Sequence, residues 1–264
     1  MRRGFKIIYG PVASWRLGIS LGIDLLSQKE KICNFDCIYC QLGRQKDFKF
    51  KRQAYVSVRE LIKELKTFPK VRIDSITFSG RGEPALARNL GEAIKSVKKI
   101  RKEPVAVLTN STLMAKEGVR KELAFADIVV AKLDAYSQKS LEQINHPSNS
   151  ISFKNIISGL IKFRRRYKGK FALQIMFTQT NRLKGKEIAD LAVMINPDEI
   201  QINTPLRPSK AKALAKKEIL KIKEYFLTRF KKTHIISAYD AVRIKKAVAL
   251  NNEETCRRRS LFLE

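Results

Sequence analysis

Short apolar runs rich in β-branched residues alternate with longer stretches of helical spacing through most of the chain. Residues 20–26 (SLGIDLL), 73–79 (IDSITFS), 104–109 (PVAVLT), 127–133 (DIVVAKL), 171–178 (FALQIMFT) and 199–203 (EIQIN) read as six short, largely buried strands. Between them, residues 57–68, 90–101, 138–144, 153–167 and 184–195 repeat apolar positions at the spacing of one helix face, and a further such stretch, 211–230, follows the last strand. Ser57 with Glu60 three residues on is a capping-box start. Strand then helix, repeated, is the pattern of parallel strands joined by crossover helices. The expected fold class is therefore α/β, a partial (β/α)6 barrel of parallel strands, in which ligands bind beyond the carboxyl ends of the strands. The polar and glycine-rich positions at those ends are Gly80-Arg81-Gly82-Glu83-Pro84, Thr109-Asn110-Ser111, Asp134, Gln179 and Asn203-Thr204.

The composition, 44% apolar and 30% charged over 264 residues, excludes a disordered or collagen-like chain and allows a sizeable core. No run approaches the roughly 18 apolar residues of a membrane span, and the apolar stretch after Met1-Arg2-Arg3 is too short for a signal peptide. A cytoplasmic location with no membrane partner is expected. Without a linker-like segment, the expected division is a core domain over 1–230, including an N-terminal extension, and a short basic C-terminal segment over 231–264, packed on the core or trailing it.

Charge adds a candidate partner. Lys and Arg number 54 against 25 Asp and Glu, a net charge of +29, which favours capture of polyanions, nucleic acid first. Solvated helix faces such as Lys98-Lys99 and Lys216-Lys217 contribute to the same total.

Three of the four cysteines, Cys33, Cys37 and Cys40, fall within eight residues just after the first strand, and Cys256 stands alone. Thiols crowded on one loop point to a metal or redox site rather than a disulfide framework. Three thiolates can hold three irons of a 4Fe-4S cluster and leave the fourth open to a non-protein ligand. The alternative, a structural zinc in a nucleic-acid-binding module, would need a fourth ligand from Cys256, His146 or His234.

The CxxxCxxC spacing, with aromatic Tyr39 immediately before the last cysteine, resembles the signature of the radical S-adenosylmethionine (SAM) superfamily. The resemblance implies one 4Fe-4S cluster on Cys33, Cys37 and Cys40 and SAM chelated to the open iron through its amino and carboxylate groups. It further implies reductive cleavage of SAM to a 5'-deoxyadenosyl radical, hydrogen abstraction from a substrate, and a reductant such as flavodoxin or ferredoxin. By the same resemblance Gly80, Gly82 and Glu83 form the glycine-rich turn whose acid binds the SAM amino group. Asn110, Ser111 and Asp134 would touch the ribose or the methionine carboxylate, and Tyr39 would lie against the adenine.

A narrower resemblance runs from Tyr9 to about Pro208. Tyr9-Gly10-Pro11-Val12-Ala13-Ser14-Trp15-Arg16-Leu17-Gly18, Cys40-Gln41-Leu42-Gly43, Leu133-Asp134-Ala135 and Ile202-Asn203-Thr204-Pro205-Leu206-Arg207-Pro208 are similar to the radical SAM proteins grouped with wyosine-type tRNA synthases. It implies RNA, specifically tRNA, as the substrate, with a small molecule or peptide as the alternative within the enzyme class. Those synthases carry a second cluster on three further cysteines, whereas residues 1–32 contain none, so a single-cluster relative is implied. Lys132, at the end of the fourth strand, could meet a carboxylate or a carbonyl substrate if turned inward. The runs Arg164-Arg165-Arg166 and Arg257-Arg258-Arg259 could bind phosphates, although such runs are usually solvated.

Overall fold

The computed structural model describes residues 5–45, 47–49, 51–240, 247, 249–250 and 252–259. Among them, eight strands form one sheet in sequence order: β1 (Ile8–Ser14), β2 (Gly18–Ile23), β3 (Ser75–Phe78), β4 (Val105–Thr109), β5 (Ile128–Lys132), β6 (Lys170–Met176), β7 (Glu199–Asn203) and β8 (His234–Ser237). β1 pairs antiparallel with β2, and every later pairing, β2 through β8, is parallel between neighbours. The two edges, β1 and β8, do not pair, so the sheet curls into a half-barrel. The six expected strands appear in the expected order, flanked by β1 and β8.

The helices are α1 (Val58–Lys66), α2 (Leu90–Ile100), α3 (Glu117–Leu123), α4 (Gln138–Asn145), α5 (Phe153–Arg166), α6 (Gly185–Ile195), α7 (Lys216–Leu227) and α8 (Asn252–Arg259). α1 starts at the expected capping box: Ser57 Oγ accepts the Glu60 amide at 3.2 Å and Glu60 Oε2 accepts the Ser57 amide at 3.0 Å. α2 buries Leu90, Ala93, Ile94 and Val97, one face at i, i+3, i+4 and i+7. α7 begins at Lys216 rather than 211, because residues 211–215 run as irregular chain whose Leu214 amide bonds to Thr204 Oγ1.

Alternation along the strands sets the character of the interior. Leu21, Ile76, Phe78, Val129, Leu173 and Ile175 are buried in the hydrophobic core. The residues between them, including Ser20, Thr77, Ser79, Lys132 and Gln174, line a cavity inside the half-barrel. Two-sided burial made the strands read as continuous apolar runs, yet their inner face sets these polar groups beside Leu108 and Val130. No helix among the described residues is long and apolar enough to cross a membrane.

The C-terminal residues join this framework. Arg258 of α8 donates through Nε to Asp24 Oδ2 at 2.9 Å, both side chains being 1% exposed, and also bonds the Lys6 carbonyl and Ser27 Oγ. The expected solvated run is thus buried at Arg258; the side chains of Arg257 and Arg259 lie outside the described residues.

Candidate active site

The chain between β2 and α1 carries the three clustered cysteines and is fixed at both ends. Ile32 exchanges backbone hydrogen bonds with the glycine-rich turn after β3, its N–H donating to Arg81 O at 2.8 Å and its carbonyl accepting the Glu83 N–H at 2.9 Å. Further on, Asp36 N–H donates to Asn145 O at 2.9 Å and Ile38 N–H to Ile144 O at 2.9 Å, laying the loop across the end of α4. The turn requires its glycines. Gly82 holds φ +151°, and a Cβ there would stand 1.7 Å from the Ile32 carbonyl oxygen; at Gly80, with φ +141°, it would meet the Asp24 side chain.

Cys33, Cys37 and Cys40 face one cavity of about 340 Å³ together with Gly80, Gly82 and Glu83. Burial pushes the Cys33 thiol up to about 12 and the Cys37 thiol up to about 11, and in each case a neighbouring cysteine of the loop adds to the rise. At neutral pH these two thiols are protonated, unlike an activated cysteine nucleophile. Amide donors already point at two sulfurs: Asn145 Nδ2 lies 3.3 Å from Cys37 Sγ and Asn110 Nδ2 3.8 Å from Cys33 Sγ. Lys31 is bonded to Gly43 O at 3.1 Å; burial opposes its ammonium, but attraction to Cys40, Cys33 and Cys37 in their ionised form outweighs it and its pKa is raised. Cys256 sits on α8 and is not among the cavity-lining residues. Three thiols on one loop, with Cys256 not joining them in the cavity, fit three corners of a cluster and fall one ligand short of a closed zinc site.

Glu83 is the acid of the site. It is 2% exposed, accepts Thr109 Oγ1 at 2.7 Å, the Asn110 N–H at 2.5 Å and the Ala85 N–H at 2.9 Å, and among the described residues pairs with no cation. Burial lifts its pKa to about 7 against the pull of those three hydrogen bonds. A buried carboxylate with neutral donors only is matched to an incoming ammonium group.

The remaining expected residues divide into those that face the cavity and those that brace it. Tyr39 and Asn110 face it. Asn110 is also spent on the protein, donating to Asn34 Oδ1 at 2.7 Å and accepting Thr112 Oγ1 at 2.7 Å. Ser111 and Asp134 do not line it. Ser111, in the left-handed region at φ 73°, donates its hydroxyl to Lys132 O at 2.8 Å. Asp134 accepts the Tyr39 hydroxyl, Asn145 Nδ2 at 3.0 Å and the Met176 N–H at 2.7 Å, so its carboxylate orients Tyr39 and Asn145. Burial and the Asp134 charge keep the Tyr39 phenol well above its usual pKa and hence a donor. Lys132 does turn inward: its Nζ is 3.6 Å from Asp134 Oδ2 and 4.6 Å from the centre of the Tyr39 ring.

Residues 31–192, beginning two residues before the first of these cysteines and containing β3 through β6, match the Radical SAM superfamily. The chain belongs to the radical SAM superfamily. It is 38% identical over 209 residues to a UPF0026 protein of Synechocystis, covering 79% of this chain and 78% of that protein. It is 39% identical over 229 residues to a Brachyspira hyodysenteriae protein named GTPase Obg, covering 84% of this chain but only 33% of that one. The half-barrel superimposes on Streptococcus suis SuiB bound to S-adenosylmethionine with a TM-score of 0.61 at 15% identity, over 79% of this chain and 48% of SuiB. The chain thus spans about a third of the Brachyspira relative and about half of SuiB. The superfamily makes the chain a radical SAM enzyme and implies SAM and a 4Fe-4S cluster.

Sequence reasoning missed Asn145, Asp24 and Gln174. Asn145 had one legible sign, its place at the end of a helix before His146-Pro147; the other two become meaningful only once the strands are side by side.

Proposed function

We propose that this chain cleaves SAM reductively at a single 4Fe-4S cluster and abstracts hydrogen from a substrate held in the half-barrel, with RNA, and by sequence resemblance tRNA, as the substrate class. One observation carries the reading: three thiols, Cys33 buried and Cys37 and Cys40 half-buried, line one cavity with a buried carboxylate that pairs with no cation among the described residues. When bound, the cluster supplies the electron that breaks the sulfonium bond of SAM and yields the 5'-deoxyadenosyl radical.

This chain's residues supply the rest. Cys33, Cys37 and Cys40 would ligate three irons, and the amide groups of Asn145 and Asn110 would stabilise charge on the sulfurs. Glu83 would receive the SAM ammonium, while Gly80 and Gly82 let its turn lie against Asp24 and the Ile32 backbone, next to Cys33. Asp134 and Asn145 hold the Tyr39 hydroxyl, so the ring presents a fixed face to the cavity for adenine. The net charge of +29 supports an anionic substrate.

Anaerobic loading with iron and sulfide tests the metal assignment. Iron and acid-labile sulfide in equal amounts, lost on Cys37→Ala, are expected; one zinc per chain without sulfide would contradict it.

A further inference from the structure

Hydrophobic burial cannot hold α8 in place. Its residues, 252–259 (NEETCRRR), include no aliphatic or aromatic side chain, and an isolated helix of that length is unstable in water. It docks through polar contacts instead. Thr255 Oγ1 accepts the Gly10 N–H of β1 at 2.9 Å, and Arg258, 2% exposed, lines the cavity that holds the thiols and Glu83. Burying a guanidinium is costly unless every donor is matched.

The matching partners of Arg258 are parts of the site. Its Nε donates to Asp24 Oδ2 at 2.9 Å, and the same oxygen accepts the Arg81 N–H at 3.2 Å, inside the glycine-rich turn that carries Glu83. The Asp24 side chain also stands where a Cβ on Gly80 would be, so the turn rests directly on the carboxylate that Arg258 holds. Burial raises the Asp24 pKa, and the charge of Arg258 is the largest influence opposing that rise. Toward the cysteine loop, the Arg258 carbonyl accepts Gln41 Nε2 at 3.2 Å, one residue after Cys40. The guanidinium carbon lies 5.1 Å from the centre of the Tyr9 ring, whose hydroxyl pairs at 2.7 Å with Ser79 Oγ, next to Gly80. Nη2 donates to the Lys6 carbonyl at 2.6 Å and to Ser27 Oγ at 3.0 Å, and Nη1 to the Glu254 carbonyl at 3.1 Å and to the Glu254 carboxylate. Every N–H of the fork is thereby used within the protein, and none is left to bind a ligand.

We propose that Arg258 is a positioning residue for SAM binding: by fixing Asp24 and Gln41 it holds the glycine-rich turn and the cysteine loop in the arrangement that receives SAM, so that docking of α8 and binding of SAM favour each other. The proposal rests on reading the cavity as the SAM site. A polar helix with a weak hold of its own, tied to both sides of a ligand site, is ordered by the ligand to the extent that it orders the site, because the coupling free energy is shared.

SAM binding is measured by equilibrium dialysis on the anaerobic, cluster-loaded full chain, and amide hydrogen exchange over 252–259 is followed in the same preparations. SAM affinity per loaded cluster is expected to fall roughly 5- to 150-fold in Arg258→Gln and to recover in part in Arg258→Lys. In the wild type, saturating SAM is expected to slow exchange over 252–259 by a factor of the same order. If Arg258→Gln does not fold, Thr255→Val, which loosens α8 without touching Asp24, carries the comparison through a smaller loss of SAM affinity and faster exchange over 252–259. A purely stabilising α8 would lower the melting temperature of the variants and leave both other readings unmoved. Affinities within about twofold of wild type in the folded, loaded variants would therefore overturn the proposal. So would exchange over 252–259 that bound SAM leaves unchanged. A wild type that carries its cluster yet binds no SAM overturns the reading of the cavity and the proposal with it, so the wild type alone tells the two failures apart.

Discussion

Glu83→Gln isolates the cost of holding an unpaired carboxylate in a closed site. In the chain without ligand, burial raises the Glu83 pKa from 4.5 to about 7. Between those values the folded chain binds more protons than the unfolded one, so its stability falls as pH rises. The contribution is fully present below 4.5 and is lost as pH passes through about 7. At 1.36 kcal/mol per pH unit, that interval corresponds to roughly 3 kcal/mol. Glutamine cannot ionise and escapes this loss. It also gives up one acceptor facing the Thr109 hydroxyl or the Asn110 and Ala85 amides, at a cost of about 1–3 kcal/mol that does not vary with pH. The informative quantity is therefore a double difference: urea unfolding of reduced, metal-free wild type and Glu83→Gln at pH 5 and pH 8.5. The variant is expected to gain roughly 3 kcal/mol on the wild type between the two pH values, which corresponds to roughly 6–12 °C in Tm for a chain of this size. Curves that stay parallel within about 0.5 kcal/mol would refute the claim that Glu83 is a buried carboxylate awaiting a cation. The functional counterpart is a loss of SAM affinity in the loaded variant, roughly 10- to 100-fold for a charge-assisted hydrogen bond removed.

Gly82→Ala places a methyl group against the Ile32 carbonyl, so the turn and the cysteine loop must separate; a loss above about 3 kcal/mol with failure to retain iron is expected, and wild-type melting with full iron content would contradict it. Arg258→Met leaves Asp24 buried and unpaired and should cost about 3–5 kcal/mol in chemical unfolding, with Asp24→Asn restoring part of it in the double variant; additive losses would show that the pair is not coupled. Retention of tRNA by electrostatic capture should fall steeply and linearly on a log–log plot against salt, and a flat dependence would count against RNA as the polyanion.

The sequence made β2 through β7 legible because each is a short, largely apolar run, and β7 spans the residues 199–203 that pattern picks out. β1 escaped notice for a physical reason: Gly10-Pro11 interrupts its alternation, and the pairing with β2 shifts register between Tyr9 and Val12. β8, four residues among basic neighbours, and α3, seven residues long, are too short to show a period. At the site, the cysteine spacing and the glycine-rich turn were visible because both are local. The support for Tyr39 and Cys37 was not, since Asp134 and Asn145 reach them from 95 and 108 residues away. Arg258 reads as part of a solvated charge run until Asp24, 234 residues earlier in the chain, is placed beside it.

The central claim, that Cys33, Cys37 and Cys40 support reductive cleavage of SAM, is tested most directly by chromatography for 5'-deoxyadenosine after the anaerobically loaded chain is reduced in the presence of SAM. The account predicts 5'-deoxyadenosine and methionine in equal amounts from the wild type and neither from Cys37→Ala. Intact SAM in the loaded wild type, or equal product from the variant, would contradict it.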